Sequence, residues 1–154
     1  MDKIASFTVD HDILEPGCYV SRLDGDITTY DLRFVKPNTE PFLENKALHT
    51  VEHLFATYAR NSAYSGNIIY FGPMGCRTGF YLIVRDLSNK NTIKLIKETL
   101  EQAIAHTGEI PGAEKKECGN YLDHDTEGAK VIMKNYYEVI KNWSIYDLQY
   151  KTVG

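Results

Sequence analysis

Four short segments of the chain alternate apolar and polar residues between turn-forming residues, a pattern typical of β-strands. In the second segment Tyr30, Leu32 and Phe34 share one face, and Asp31 and Arg33 share the other. The turn sequence DGD joins the first two segments and predicts a β-hairpin. The four predicted strands span residues 17–23, 27–35, 67–71 and 79–86.

Three longer segments repeat apolar residues at the three- and four-residue spacing of amphipathic helices. They cover residues 46–61, residues 92–106 with Gly108 as the stop, and a third helix that begins near Thr126. The strands and helices are segregated rather than strictly alternating, and the hairpin implies antiparallel pairing. We therefore predict an α+β fold in which an antiparallel sheet is packed on one side by about three helices, as a single domain over residues 1–154.

Composition and charge narrow the possible classes of function. The 154 residues are 43% hydrophobic, enough to bury the core of one domain, and the net charge is −4. Since lysines and arginines form no cluster, we predict no nucleic-acid or membrane binding and favour a small polar ligand. Residues 1–12 are interrupted by charges and do not resemble a signal peptide, which predicts a cytoplasmic protein. Three cysteines at wide spacing favour reduced thiols or metal ligands over disulfides.

The sequence HTVEH in the first predicted helix places His49 and His53 one turn apart on the same side, with Glu52 beside them. Such a pair is either an ordinary solvated helix face or part of a metal site. The order His-x-x-Glu-His also matches an inverted zinc-peptidase motif, in which both histidines bind zinc and the glutamate activates water. A divalent ion would need a further ligand, and the loop over residues 109–125 offers three competitors: Cys118, Asp123 and His124.

A second candidate for chemistry is Cys76, which lies in the glycine-rich turn GPMGCRTG with Arg77 directly after it. Glycines allow a substrate to approach the backbone closely, and a guanidinium nearby favours a thiolate. Cys76 is therefore either a reactive thiolate that serves as base or nucleophile, or a small buried apolar residue. Cys18, within a predicted strand, is expected in the core.

Several separated motifs together resemble one known family, the S-ribosylhomocysteine lyases (LuxS). Their order along the chain makes the resemblance far more specific than any single motif. The motifs are SFTVDH at residues 6–11, DLRFVKPN at 31–38, HTVEHLFA at 49–56, GPMGCRTGFYL at 72–82, CG at 118–119 and EGA at 127–129.

The resemblance implies a metal-dependent carbon–sulfur lyase. Its substrate would be S-ribosylhomocysteine, and its products homocysteine and 4,5-dihydroxy-2,3-pentanedione, the autoinducer-2 precursor of quorum sensing. One divalent ion per subunit would be bound by His49, His53 and Cys118, either Fe(II) or Zn(II), because imidazole and thiolate accept both metals. Family members are homodimers with active sites at the subunit interface, so the resemblance implies a homodimer here as well.

Five further residues receive roles from the same resemblance. Cys76 and Glu52 would form the acid/base pair of the reaction. Arg33 would stabilise the Cys76 thiolate, and Ser6 and His11 would line the substrate pocket. Because family active sites lie at the interface, we expect these N-terminal residues to serve the metal of the partner chain.

The chain departs from the family pattern at two positions. Tyr70 stands where family members usually carry an acidic residue, and Gly72 stands where they carry a serine. The acidic residue would face the amino group of the substrate. Because Tyr70 replaces this acidic residue, binding would depend more on the α-carboxylate of the substrate. We assign the contact with that carboxylate to Arg60.

Two functions from other classes fit the same histidine motif. An inverted-motif metallopeptidase would use Glu52 to activate water and would have no need of Cys76, although such enzymes normally take a glutamate as the third ligand. A non-catalytic zinc domain would instead close the fourth coordination position with Cys76 or Cys18.

Overall fold

Four strands form an antiparallel sheet in the computed structural model, which describes residues 1–152. They lie in the order β1-β2-β4-β3, and each neighbouring pair is antiparallel. All four predicted strands are present, with ends within about two residues of the predicted ones. The strands are β1 (Gly17–Asp24), β2 (Ile27–Arg33), β3 (Ile68–Pro73) and β4 (Gly79–Arg85).

Three helices accompany the sheet: α1 (Asn45–Arg60), α2 (Asn89–Ile104) and α3 (Thr126–Ile140). Helix α1 contacts α2, α3 and strand β3. The predicted start of the second helix, residue 92, was three residues too late. The first turn of α2 is polar, so the spacing of apolar residues does not reveal it. The Ser88 side chain caps that turn by accepting the backbone N–H of Asn91 at 3.1 Å.

The hydrophobic core lies between the sheet and the helices and confirms the predicted alternation in β2. Leu32 is fully buried in this core, whereas Asp31 and Arg33 point to the opposite face of the sheet. Each fully buried large apolar side chain contributes about 1.5–3 kcal/mol to the free energy of unfolding. The fully buried contributors from α1 and β4 are Val51, Leu54, Phe55, Phe80 and Leu82. The α+β prediction is therefore confirmed.

The C-terminal segment packs against β1, an arrangement that no periodic pattern predicted. Leu148 is buried in the core, and its carbonyl accepts the backbone N–H of Val20 at 2.8 Å. Tyr150 stacks on Tyr19 with ring centroids 4.8 Å apart, on the sheet face opposite the helices. Among the described residues, no helix combines the length and apolar composition that crossing a bilayer requires.

Candidate metal centre and thiol cavity

Helix α1 presents His49 and His53 on the same side, with ring centroids 4.8 Å apart. Each imidazole donates a hydrogen bond from Nδ1 to a backbone carbonyl of the loop after α2: His49 to Asp123 at 2.7 Å, and His53 to Pro111 at 2.9 Å. Because a carbonyl oxygen only accepts, each Nδ1 carries the proton and each Nε2 keeps a free lone pair. Both rings are thus held in the tautomer that binds a metal through Nε2.

The same loop brings Cys118 and His124 to these two Nε2 atoms. The Cys118 Sγ lies 3.5 Å from His49 Nε2, 3.9 Å from His53 Nε2 and 3.8 Å from His124 Nε2. All four donor atoms lie within 4.8 Å of one another. Around a tetrahedral zinc ion, bonds of about 2.3 Å to sulfur and about 2.0 Å to nitrogen separate these donors by roughly 3.5 Å. The cluster therefore fits one divalent ion in size and in ligand type.

Thr50 fixes the tautomer of the third imidazole. Its hydroxyl donates to the Lys46 carbonyl at 3.1 Å and accepts the backbone N–H of Asp125 at 2.9 Å. Since that hydroxyl has one proton, the 3.0 Å hydrogen bond between His124 Nδ1 and the Thr50 oxygen must be donated by the imidazole. Burial and the two neighbouring imidazoles lower the pKa of His124 to about 4, so Nε2 is free to bind a metal at neutral pH.

The structure distinguishes the three loop residues that were candidates for the third metal ligand. Cys118 and His124 both enter the cluster, whereas Asp123 stays outside it and contacts Nδ1 of His49 through its carbonyl and, at 3.5 Å, through its carboxylate. His124 as a simultaneous fourth donor was missed, because local sequence does not show which loop residue folds back onto α1. The one sequence feature that could have indicated His124 is Thr50, directly after His49, because its hydroxyl is the hydrogen-bond partner of the His124 ring.

A second group of candidate residues lines a cavity of about 490 Å³ at the end of the β3–β4 hairpin. Cys76 is exposed there, in the turn between the two strands. Cys18 is instead fully buried in the core, where burial raises the pKa of its thiol. The lining residues are Ser6, Phe7, His11, Arg33, Pro37, Asn38, Phe42, Pro73, Met74, Gly75, Cys76, Thr78 and Tyr81.

Ser6, His11, Arg33 and Cys76 therefore share this cavity, which we call the thiol cavity. Arg33 is not an exposed strand charge: it is 3% exposed, and its Nη2 lies 2.7 Å from a carboxylate oxygen of Asp31, which is 1% exposed. Burial acts to lower the pKa of the Arg33 guanidinium, but the hydrogen bonds and charge of Asp31 outweigh it, and the net direction is upward. Arg33 is thus a permanent cation beside the thiol.

Two other candidate residues do not line the thiol cavity. Arg60, in the last turn of α1, is exposed and donates from Nη2 to the Ile69 carbonyl at 2.9 Å. The structure therefore does not bring Arg60 to Cys76, and its contact with a substrate carboxylate stays a prediction. Glu52 is half-buried on α1 directly before His53, beside the donor cluster but not part of it.

The two departures from the family pattern are physically linked. Tyr70 and Gly72 face the same side of β3, and the Tyr70 ring occupies the space that a side chain at residue 72 would need. The ring lines a neighbouring cavity with Ser6 and Tyr81, both of which also line the thiol cavity. A phenol over a glycine therefore replaces the usual acidic residue and serine as one unit, in the cavity next to the one that Cys76 lines.

Within the described part of one chain, the metal cluster and the thiol cavity are separate. The cavity beside the cluster has a volume of about 570 Å³ and is lined by His124 and by residues of the loop after α2. It shares no lining residue with the thiol cavity. Of the four donor residues, His124 lines the cavity beside the cluster, and none of the four lines the thiol cavity that holds Cys76.

Comparison with known proteins identifies the family. Residues 4–146 match S-Ribosylhomocysteinase (LuxS). The chain is 46% identical over 156 residues to S-ribosylhomocysteine lyase of Borrelia garinii subsp. bavariensis and to that of Clostridium acetobutylicum, covering 97% of this chain and 99% of each relative. It is 48% identical over 147 residues to S-ribosylhomocysteine lyase of Finegoldia magna, covering 92% of this chain and 94% of the relative. The chain therefore belongs to the S-ribosylhomocysteinase (LuxS) family.

Proposed function

We propose that this protein is a carbon–sulfur lyase that converts S-ribosylhomocysteine to homocysteine and 4,5-dihydroxy-2,3-pentanedione. Family membership over residues 4–146 supports this reaction, as do relatives of that name that cover nearly the whole chain. The observation that carries the proposal is the four-donor cluster, whose imidazole tautomers are already set to bind a metal. The exposed thiol of Cys76, in the cavity that Arg33 also lines, would supply a base for moving protons between carbon atoms.

His49, His53 and Cys118 would hold one divalent ion, Fe(II) or Zn(II), with His124 as a fourth donor before substrate binds. When bound with an open position, such an ion acts as a Lewis acid on sugar oxygens and makes protons on neighbouring carbons more acidic. A single thiolate leaves the centre with a net positive charge, which that role requires. We expect His124 to be the donor that yields to substrate, because it is uncharged and lies in the loop rather than on α1.

The His124→Ala variant tests the fourth-donor role. We expect it to bind zinc at least about 10-fold more weakly than the unmodified protein, and Cys118→Ala to bind still more weakly because a charged ligand is lost. Competition with a chromogenic chelator measures these affinities. In the cobalt(II) forms, the sulfur-to-metal absorption band should persist in His124→Ala and disappear in Cys118→Ala. His106→Gln, outside the cluster, is the control, and an unchanged affinity in His124→Ala would contradict the role.

The Cys76 thiolate would move the sugar carbonyl to the position from which homocysteine can leave. It removes the C2 proton and returns it to C1 while the hydroxyl proton on O2 passes to O1, which shifts the carbonyl from C1 to C2. A second transfer moves the C3 proton to C2 and the hydroxyl proton from O3 to O2, which shifts the carbonyl to C3. A base that takes and returns protons works best with a pKa near the working pH, and the buried cation Arg33 lines the same cavity as Cys76. Ser6 and His11 would bind the sugar in the same cavity.

Glu52 would complete the reaction by β-elimination. It takes the C4 proton once the carbonyl is at C3, and the electrons of the C4–H bond form a C4–C5 double bond as the C5–S bond breaks. The sulfur leaves as the homocysteine thiolate and receives the proton back from Glu52. The remaining enol tautomerises to the diketone product.

We further propose that two copies of the chain complete each active site. The reaction needs the Cys76 thiol and the metal centre around one sugar, yet in one chain none of the four metal donors lines the thiol cavity. Exposed apolar side chains lie beside the thiol cavity on the sheet face opposite α1, α2 and α3: Ile4 is 58% exposed, Phe7 68% and Tyr70 53%. A second copy that covers them would bring its own metal centre to Cys76.

The alternative of a structural zinc domain needs Cys18 or Cys76 as the closing ligand. Neither belongs to the donor cluster: Cys18 is fully buried in the core, and Cys76 lines the other cavity. The metallopeptidase alternative gains no support from the comparisons, which match lyases along nearly the whole chain. The family therefore favours the lyase, and neither Cys18 nor Cys76 is placed to close a structural zinc site.

The direct test is the release of free thiol from S-ribosylhomocysteine by the metal-loaded protein. We expect a chromogenic disulfide reagent to detect homocysteine above a blank without substrate, since the exposed Cys76 also reacts. Protein stripped of metal should release none until Fe(II) or Zn(II) is restored. Absence of thiol release by the metal-loaded protein contradicts the proposed function, and peptide cleavage that survives Cys76→Ala would favour the metallopeptidase.

A further inference from the structure

The hydroxyl of Thr78 lies between Arg33 and Cys76. Arg33 Nη1 is 2.9 Å from the Thr78 Oγ1, which in turn is 3.0 Å from the Cys76 Sγ. The Nε and Nη2 atoms of the guanidinium are occupied by the two carboxylate oxygens of Asp31. The hydrogen bonds therefore connect Arg33 to the thiol through Thr78, whereas the family resemblance implied that Arg33 stabilises the thiolate directly.

Hydrogen-bond chemistry fixes the direction of this chain of contacts. A guanidinium has only donors, so the Thr78 oxygen accepts from Arg33. The Thr78 hydroxyl proton is then available to Cys76, whose thiolate form only accepts. We propose that Thr78 is a positioning residue that passes the polarising effect of Arg33 to the Cys76 sulfur through a hydroxyl-to-thiolate hydrogen bond. This inference rests on the proposed role of Cys76 as the base of the reaction.

Burial and backbone contacts hold Thr78 in place for this role. Thr78 is 2% exposed, and its backbone carbonyl accepts the N–H of Phe34 at 2.9 Å and that of Val35 at 3.1 Å. These contacts tie the turn that carries Cys76 to the end of β2. A hydroxyl that is already aimed at the sulfur needs no reorganisation when the thiolate forms, which is how fixed dipoles stabilise charge most effectively.

The far end of the chain of contacts is anchored by the C-terminal segment. The Tyr150 hydroxyl donates to Asp31 Oδ2 at 2.7 Å, and Arg33 Nη2 donates to the same oxygen at 2.7 Å. Burial, and then the charge of Asp31, raises the pKa of Tyr150, so its phenol remains a donor. The two donors and the stacking of Tyr150 on Tyr19 keep the Asp31–Arg33 pair in one orientation. The guanidinium is therefore held toward Thr78.

Other charged and titratable side chains near Cys76 must be considered before its ionisation is tested. Among the described residues, those that line the cavity with Cys76 are His11, Arg33 and Tyr81. Arg77, the next residue in sequence, donates instead to a backbone carbonyl before α1 at 3.3 Å. Substitution of Thr78 interrupts the contact from Arg33 and leaves the other groups in place.

The test compares Thr78→Val, which keeps the shape and removes the hydroxyl, with Thr78→Ser, which keeps the hydroxyl. The readout is the rate at which iodoacetamide alkylates Cys76 in the metal-loaded protein as a function of pH, with the labelled peptide identified by mass spectrometry. We expect alkylation at pH 7 to slow about 10-fold or more in Thr78→Val. Thr78→Ser should stay within about twofold of the unmodified protein.

The pH dependence distinguishes this role from a structural one. Loss of the hydrogen bond should move the midpoint of the rate profile up by about one to two pH units and leave the rate at alkaline pH unchanged. A change in access or folding would alter the rate at every pH. Thr28→Val, on β2 and outside the cavity, is the matched control and should show no change.

Two outcomes overturn the inference: an unchanged profile in Thr78→Val, or an equal loss in Thr78→Val and Thr78→Ser. If Thr78→Val does not fold, Thr78→Ala is measured with the same expectation, and an unchanged profile there overturns the inference as well. Alkylation requires no substrate, so its result is independent of the lyase assay. Absence of thiol release by the unmodified protein contradicts the proposed function, whereas an unchanged profile contradicts the role of Thr78.

Discussion

Replacement of Cys76 by alanine is expected to lower the rates of proton transfer on the sugar and of homocysteine release, each by about 10³-fold or more. Cys76 is the exposed thiol of the cavity, and the proposed mechanism uses it as the base of both carbonyl migrations. Incubation with S-ribosylhomocysteine in D₂O, followed by NMR, measures exchange at C2, and a chromogenic assay measures the released thiol. We expect neither deuterium incorporation nor thiol release in Cys76→Ala.

Glu52→Gln should separate the two halves of the reaction. In the proposed mechanism Glu52 acts only after the carbonyl has reached C3, so this variant should still exchange the C2 proton while thiol release falls by about 10²-fold or more. Both variants should retain one metal ion per chain by elemental analysis, since neither residue belongs to the donor cluster. Cys18→Ala, which removes a buried thiol outside both cavities, is the matched control and should remain active. Thiol release by Cys76→Ala, or loss of exchange in Glu52→Gln, contradicts the assigned roles.

The part of the site that lies on a periodic element was predictable. Apolar residues at helical spacing in α1 predicted a buried stripe, and Val51, Leu54 and Phe55 are fully buried. Helical geometry then fixes where the remaining residues point, so the sequence alone placed His49 and His53 on one side. Alternation in β2 likewise placed Arg33 on the face away from the core.

The contacts that complete the site come from segments without a period. The loop after α2 supplies the carbonyl groups that set the tautomers of His49 and His53. Every residue has a backbone carbonyl, so the sequence does not show which ones make these contacts. Thr78 reaches Arg33 because the register pairs Arg33 with Gly79, the first residue of β4, which directly follows Thr78. Register depends on packing across strands rather than on either strand alone. Tyr150 joins through a C-terminal segment that has no helix or strand pattern.

Mixtures of two inactive variants are expected to recover activity. When Cys76→Ala and Glu52→Gln chains are co-expressed in equal amounts, we expect about a quarter of the unmodified activity. Random pairing makes about half of the dimers mixed. Each mixed dimer has one site with both substitutions and one site with neither, provided that Cys76 of one copy works with Glu52 of the other. Mixed dimers isolated with two different affinity tags should show about half the unmodified activity per dimer.

The physical reason is the separation of the two openings in one chain. Glu52 lies on α1 beside the metal cluster, whereas Cys76 lies in the thiol cavity, and the two cavities share no lining residue. A mixture of Cys76→Ala with Arg33→Gln is the matched control, because both residues line the same cavity and no pairing produces an intact site. Isolated mixed dimers of Cys76→Ala with Glu52→Gln that stay inactive would place both groups in the site of one chain. If activity recovers in the mixture of Cys76→Ala with Glu52→Gln but not in the control, each active site must take Cys76 from one copy and Glu52 from the other.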